Sequence, residues 1–141
     1  MKNKNRASLF VETLVRKVCQ DNRKPVISIV MDNLLRKNEG VYFPREKVIK
    51  YRSNGYPLES VIGTILHELG HYICGFDGSI ENYEYAAESF ALSQIKERFP
   101  KRVASYCDRL IKTTPGLKDT HPSHYNAFNH IVKEIMEDTN G

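Results

Sequence analysis

The sequence has few of the features that mark specialised protein classes. It contains no tryptophan and only three cysteines, Cys19, Cys74 and Cys107, which are widely spaced. An odd number of separated cysteines gives no complete disulfide framework, and no Cys-x-x-Cys pair is available to bind a metal. We therefore expect three reduced thiols, buried within the fold.

Long apolar runs are also missing. No stretch approaches the ~20 consecutive apolar residues that a membrane-spanning helix needs, and no signal-peptide core follows Met1. The net charge of +4 is mildly basic, but the basic residues form no recognisable base-reading motif, so a solvated surface is the simpler interpretation. We expect a cytoplasmic protein with neither a membrane nor a nucleic acid as its partner.

The 141 residues are enough for one domain with a real core. Apolar residues at helical spacing predict a helix over 7–20, and the β-branched run over 26–31 predicts a strand buried on both faces at the centre of a small sheet. Residues 41–43 and 48–51 are typical of a hairpin, and the chain after 80 is typical of helices. The predicted fold class is α+β, with an N-terminal part (7–78) that holds the sheet and a helical part (79–141). The last helix should turn Phe128, Val132, Ile135 and Met136 inward.

One segment between these parts carries a recognisable chemistry. Apolar residues from Leu58 to Ile73 recur with the 3.6-residue period of a core-facing helix, and a second stripe carries His67 and His71. The five residues 67–71 read His-Glu-x-x-His. Two histidines four positions apart project from one face of a helix, so both imidazoles can bind one zinc ion. The spacing predicts a zinc metallopeptidase with Zn²⁺ as its cofactor.

A catalytic zinc site needs a third protein ligand, and three acids are candidates. In the metzincin pattern the third ligand would stand at Asp77, but Cys74 occupies the place of the required glycine. Glu84 and Glu88 lie one helical turn apart in the next predicted helix, where two like charges repel unless a cation lies beside them. We favour Glu84 and keep Glu88 as the second choice.

The two motifs together resemble a known family. His-Glu-Leu-Gly-His at 67–71, followed by Glu84-x-x-x-Glu88-x-Phe-Ala, is similar to the gluzincin metallopeptidases, especially the ImmA/IrrE-like group and the minimal single-domain gluzincins. The resemblance implies a zincin-like fold, a small mixed sheet packed on the active-site helix, and Glu84 as the third zinc ligand. It also implies that Glu88 hydrogen-bonds a ligating histidine, although the family usually has Asp or Asn at this place.

The mechanism that the motif predicts is hydrolysis of a peptide bond. Glu68 is placed to take a proton from a zinc-bound water and to pass it to the leaving amine. Candidates for the donor that stabilises the oxyanion are His121, His124, Tyr125, His130, Tyr83 and Tyr85. His121, His124 and His130 are also open to three other interpretations: a second metal site, a tail that covers the cleft, or plain surface residues.

Three hypotheses of function follow. The first is a zinc endopeptidase whose edge strand, around Val41–Phe43, holds an extended peptide or protein substrate. The second is a zinc-bearing regulatory or binding domain with little or latent activity. The third is a hydrolase of another amide or ester. The oligomeric state has no signal in the sequence.

Overall fold

A computed structural model describes residues 6–35, 39–76 and 78–140 and shows a mixed α+β protein. The described residues form five α-helices and three strands, with two short 3-10 helices at Pro100–Arg102 and Thr114–Leu117. The elements are α1 (Arg6–Asp21), β1 (Ser28–Met31), β2 (Gly40–Phe43), β3 (Val48–Tyr51), α2 (Leu58–Cys74), α3 (Ile80–Arg98), α4 (Val103–Thr113) and α5 (Pro122–Asn140). The predicted α+β class is confirmed at this level.

The chain divides into two compact units, Met1–Ile73 and Cys74–Gly141. The first unit contains α1, the sheet and nearly all of α2, and the second contains α3 to α5. That the whole chain is one domain stays a prediction, and each unit is described by itself.

The sheet of the first unit has the strand order β1-β3-β2, which corrects the expected place of β1. β3 pairs in parallel with β1 and antiparallel with β2, so the hairpin prediction is confirmed. β1, however, is an edge strand, and Val30 and Met31 are 44% and 42% exposed. The apolar run does form a strand. The central strand of the sheet is β3, because both of its edges pair with a neighbouring strand.

The core of the first unit lies around β3 and the helices. Ile49 of β3 is fully buried, and α1 contacts β1 and buries one side, as its apolar period predicts. The buried residues of α1 are Val11, Leu14, Val15, Val18 and Cys19, and those of α2 include Ile62, Ile65, Leu66 and Leu69.

The helix α2 begins and ends where its sequence predicts. Pro57 precedes its first residue, and the Val61 amide donates to the Pro57 carbonyl. After Cys74, Gly75 has a φ of +73°, a left-handed conformation that glycine adopts without steric cost and that commonly ends helices. Near its C-terminal end, the Tyr72 hydroxyl donates to the Pro25 carbonyl over 2.7 Å and ties α2 to the segment before β1.

The second unit is helical, with α3 packed along α5 and α4 in contact with both. Ser79 caps α3, because its hydroxyl oxygen accepts from the amide of Asn82. The inward face of α5 is only partly as predicted. Val132 is buried, but Met136 is 47% exposed, and Ala127 and Ile131 are the most deeply buried residues of this helix.

Two further expectations meet the structure directly. The three cysteines are free thiols, although Cys74 is exposed and Cys107 is partly exposed, so only Cys19 is buried as expected. Across the described part of the chain, no helix combines the length and the apolar character needed to cross a bilayer.

Candidate metal centre

The two histidines of the motif come together on α2. Their side chains lie one turn apart, with ring centroids separated by 4.7 Å and ring planes at 90°. His71 is buried, with 5% of its surface exposed, whereas His67 is partly exposed. The helix holds them in place because its opposite side is packed in the core through Ile65, Leu66 and Leu69. The predicted pairing of two imidazoles on one helical face is therefore present.

Strand β2 runs beside the same helix, which brings Glu68 to the edge of the sheet. Gly40 lies so close to α2 that a Cβ atom added there would be 2.6 Å from Thr64 Cγ2 and 3.6 Å from Glu68 Cγ. Two residues further along β2, the Tyr42 ring lies 5.9 Å from the Tyr72 ring. Since alternate residues of a strand share a face, Gly40 and Tyr42 present the same face to α2.

A hydrogen bond fixes the start of β2 to α2. The Thr64 hydroxyl donates to Glu39 Oε2 over 2.8 Å. Thr64 stands one helical turn before Glu68, so Glu39 is anchored close to the proposed general base. Glu39 was not predicted as a site residue, and its place directly before Gly40 and the hairpin is the one signal for it in the sequence.

In the second unit, Glu84 and Glu88 lie one turn apart on α3 and are both buried, at 5% and 3% exposed. Buried carboxylates need charge partners or donors, and these two have different ones. Glu84 Oε1 lies 3.2 Å from Nε2 of His124 on α5. Glu88 Oε1 accepts a hydrogen bond from the hydroxyl of Tyr106 on α4. A solvated acidic face, the alternative for this pair, is thereby excluded.

Tyr106 is a partner that sequence analysis missed. The residue is 4% exposed, and its pKa is raised well above 10 by its burial, by the nearby charge of Glu88 and by the hydrogen bond that it donates to Glu88. The phenol therefore keeps its proton and stays a donor at any ordinary pH. Tyr106 was not predicted as a core residue, and nothing in the sequence pointed to its hydroxyl.

The other candidates of the second unit have varied surroundings. His121 and His124 are neighbours, with ring centroids 5.6 Å apart, and Nδ1 of His121 lies 3.0 Å from Thr120 Oγ1. His130, by contrast, lies 3.3 Å from Glu134, and its ring is close to Tyr85. Within the described residues, His121, His124 and His130 form no common set of metal ligands, so the second metal site has no support.

The tyrosines proposed as oxyanion donors also differ. The Tyr85 hydroxyl donates to Glu134, which raises the pKa of this phenol and occupies its proton. The ring of Tyr83 packs against Phe76 at 5.5 Å, and Tyr125 is partly exposed. Asp77, the third ligand of the metzincin pattern, lies outside the described residues.

The donor types suit zinc. Two imidazoles and one carboxylate are the ligands of a common class of catalytic zinc site, and softer sites would need the thiolates that are absent from this motif. The acid next to the first histidine adds a base on the same helix.

Comparisons with models of protein families, with curated proteins and with solved structures give no match.

Proposed function

We propose that this protein is a zinc-dependent endopeptidase. The observation that carries the proposal is the arrangement on α2, where the His67 and His71 rings lie 4.7 Å apart and Glu68 stands between them in sequence, beside the edge strand β2. A structural zinc site has no use for an acid at this position, whereas a hydrolytic site needs a base. The similarity to gluzincins of the ImmA/IrrE-like and minimal single-domain type, with a zincin-like fold, belongs to the same proposal.

His67, His71 and Glu84 would hold the ion. Two imidazoles and one carboxylate are the donor types of a common catalytic zinc site. The different partners of the two acids support Glu84 over Glu88. Glu88 already accepts a hydrogen bond from the buried phenol of Tyr106, whereas the neighbour of Glu84 is the imidazole of His124, 3.2 Å away.

The residues of the site would have separate roles in the proposed hydrolysis. A zinc ion bound here supplies a water whose pKa is lowered towards ~7 and a positive charge beside the oxyanion. Glu68 accepts the proton of the attacking water and later donates it to the leaving amine. The predicted candidates for a further donor to the oxyanion other than Tyr85 stay open, and they are His121, His124, Tyr125, His130 and Tyr83. The Tyr85 hydroxyl is bound to Glu134.

The substrate would be an extended peptide or protein segment on β2. Among the strands that the structure describes, β2 pairs with β3 alone, so its other side offers backbone N–H and C=O groups. A peptide that adds to this side as a further strand passes along α2. The three free thiols suit a reducing compartment, which supports the cytoplasm as its location.

The first test separates zinc binding from catalysis. Glu68→Gln should bind about one zinc per chain and lose peptide cleavage by several orders of magnitude, because an amide cannot take the water's proton. His67→Ala should lose both zinc and cleavage. Zinc is measured by elemental analysis and cleavage by mass spectrometry of a mixed peptide substrate.

Glu97→Gln is the matched control, since Glu97 is an exposed acid on α3. It should keep both zinc and activity. Cleavage that survives in zinc-loaded Glu68→Gln would exclude the proposed mechanism.

One observation favours the second hypothesis, a zinc-bearing regulatory or latent domain. His124 lies 3.2 Å from Glu84, so its imidazole is a candidate for a fourth protein ligand that takes the place of water. The absorption spectrum of the cobalt-substituted protein reports the ligand set. A spectrum that changes in His124→Ala, with a gain in cleavage, would identify a latent enzyme. An unchanged spectrum would indicate that water occupies the fourth coordination position.

A further inference from the structure

Glu39 occupies a special place in the first unit. It directly precedes β2, and its backbone carbonyl accepts from the Arg52 amide over 2.7 Å, so the ladder with β3 extends to this residue. Its carboxylate is bonded to Thr64, one turn before Glu68 on α2. A negative charge is thereby fixed at one end of the edge strand that the proposed function gives to the substrate.

The carboxylate has capacity for another partner. An ionised carboxylate has two oxygens with about four acceptor positions, and the Thr64 hydroxyl uses one of them. The side chain is exposed, so a second donor can reach it. Thr64 meanwhile restricts its movement, which lowers the entropy lost when such a donor binds.

We propose that Glu39 is a specificity-determining residue that selects peptides with a lysine or arginine beside the start of β2. This inference rests on the proposed function, because it concerns the substrate of the same site. A peptide added to β2 brings side chains past Glu39 at the spacing of a strand, and a basic side chain there gains a charge-assisted hydrogen bond. An acidic side chain at the same place is repelled.

The surroundings of β2 make the selection directional. At the far end of the strand the turn to β3 carries Arg45 and Lys47, and the Lys47 ammonium lies 5.8 Å from the centre of the Tyr72 ring. The Glu39 carboxylate and these two bases thus lie at opposite ends of one short strand, although the turn also carries Glu46. A peptide bound along β2 therefore meets an acid at the Glu39 end and mostly bases at the other.

Peptide binding tests the inference without requiring turnover. The probe is a pair of extended ten-residue peptides that differ only in carrying lysine or glutamate at one position, and binding is measured on Glu68→Gln protein. We expect about fivefold tighter binding of the lysine peptide at low salt, the range of an exposed ion pair, and a smaller ratio at 0.5 M salt. Glu39→Gln should bring the ratio close to one, and Glu39→Lys should reverse it.

Two variants separate charge from structure. Glu39→Gln keeps an oxygen acceptor for Thr64, so a lost preference in a fully stable protein reports the charge. Glu46→Gln removes the same charge from the turn at the other end of β2 and should leave the ratio unchanged. Equal binding of both peptides to the Glu68→Gln protein, or a binding ratio that the added Glu39→Gln change leaves unaltered, would overturn the inference.

Peptide cleavage by the wild-type protein distinguishes a failure of this inference from a failure of the proposed function. If it cleaves peptides with no preference for lysine or arginine within three residues of the cut, the specificity is wrong and the peptidase stands. If it cleaves none while the charge ratio still depends on Glu39, the peptidase fails and Glu39 remains a selector for bound peptides.

Discussion

Gly40 shows how one residue without a side chain positions the proposed base. The space that its Cβ would fill is occupied by Thr64 Cγ2, a branched side chain on a packed helix that has little room to retreat. The close approach of β2 to α2 thus depends on glycine. Since Glu68 is also next to this position, the distance between the strand and the base depends on the same residue.

Gly40→Ala is therefore expected to push β2 away from α2. We expect a loss of about 1–3 kcal/mol in the free energy of unfolding, as for an overpacked core position, and a lower rate of peptide cleavage. Urea denaturation and a cleavage assay measure the two effects. Gly116→Ala is the control, since a Cβ at Gly116 meets no atom within 4 Å. Equal stability of the two variants would show that β2 accommodates the methyl group.

The buried pair of Tyr106 and Glu88 gives a second prediction. Tyr106→Phe removes a donor from a carboxylate that is only 3% exposed, and we expect a loss of about 1–3 kcal/mol in the free energy of unfolding. Tyr85→Phe removes the same hydroxyl from Glu134, whose side chain is 44% exposed and can turn to water. This variant should lose less than about 1 kcal/mol. Chemical denaturation compares them, and a larger loss in Tyr85→Phe would contradict the assignment.

At the level of secondary-structure elements, the sequence predicts types better than places. The β-branched run that became β1 was correctly predicted as a strand, but its position in the sheet was not. Whether Val30 and Met31 are covered depends on what packs over them, and that information lies in distant segments. The order β1-β3-β2 follows from long-range pairing that the local pattern of β1 does not encode.

Helix α3 has only a weak apolar pattern, and it is the helix that carries the candidate acids Glu84 and Glu88. Glu84, Glu88 and Gln94 are buried along with apolar residues of the same helix, so no clean apolar stripe separates from a polar one. The four-residue spacing of the two acids could be read from the sequence, as could that of the two histidines. Their partners could not, because His124 and Tyr106 lie 40 and 18 positions away from the acids that they contact.

At the level of the whole molecule, zinc binding is expected to be coupled to folding. An ion held by the proposed ligands His67, His71 and Glu84 binds the folded chain and not the unfolded one. By mass action, zinc should then stabilise the folded protein by about 2.7 kcal/mol when its free concentration is 100 times the dissociation constant.

Calorimetric melting with zinc, and after removal of zinc with a chelator, tests this coupling. Zinc should raise the melting temperature of the parent protein, and His67→Ala and Glu84→Gln should abolish the rise, since an amide is a poor replacement for a carboxylate ligand. Glu88→Gln should keep a reduced rise, because replacing a residue that only orients a ligand weakens metal binding ten- to a hundredfold. Magnesium is the control ion and should have no effect, since it prefers oxygen ligands. A rise that survives in Glu84→Gln and disappears in Glu88→Gln would assign the third ligand to Glu88, and the hydrogen bond from Tyr106 would then support a metal ligand directly.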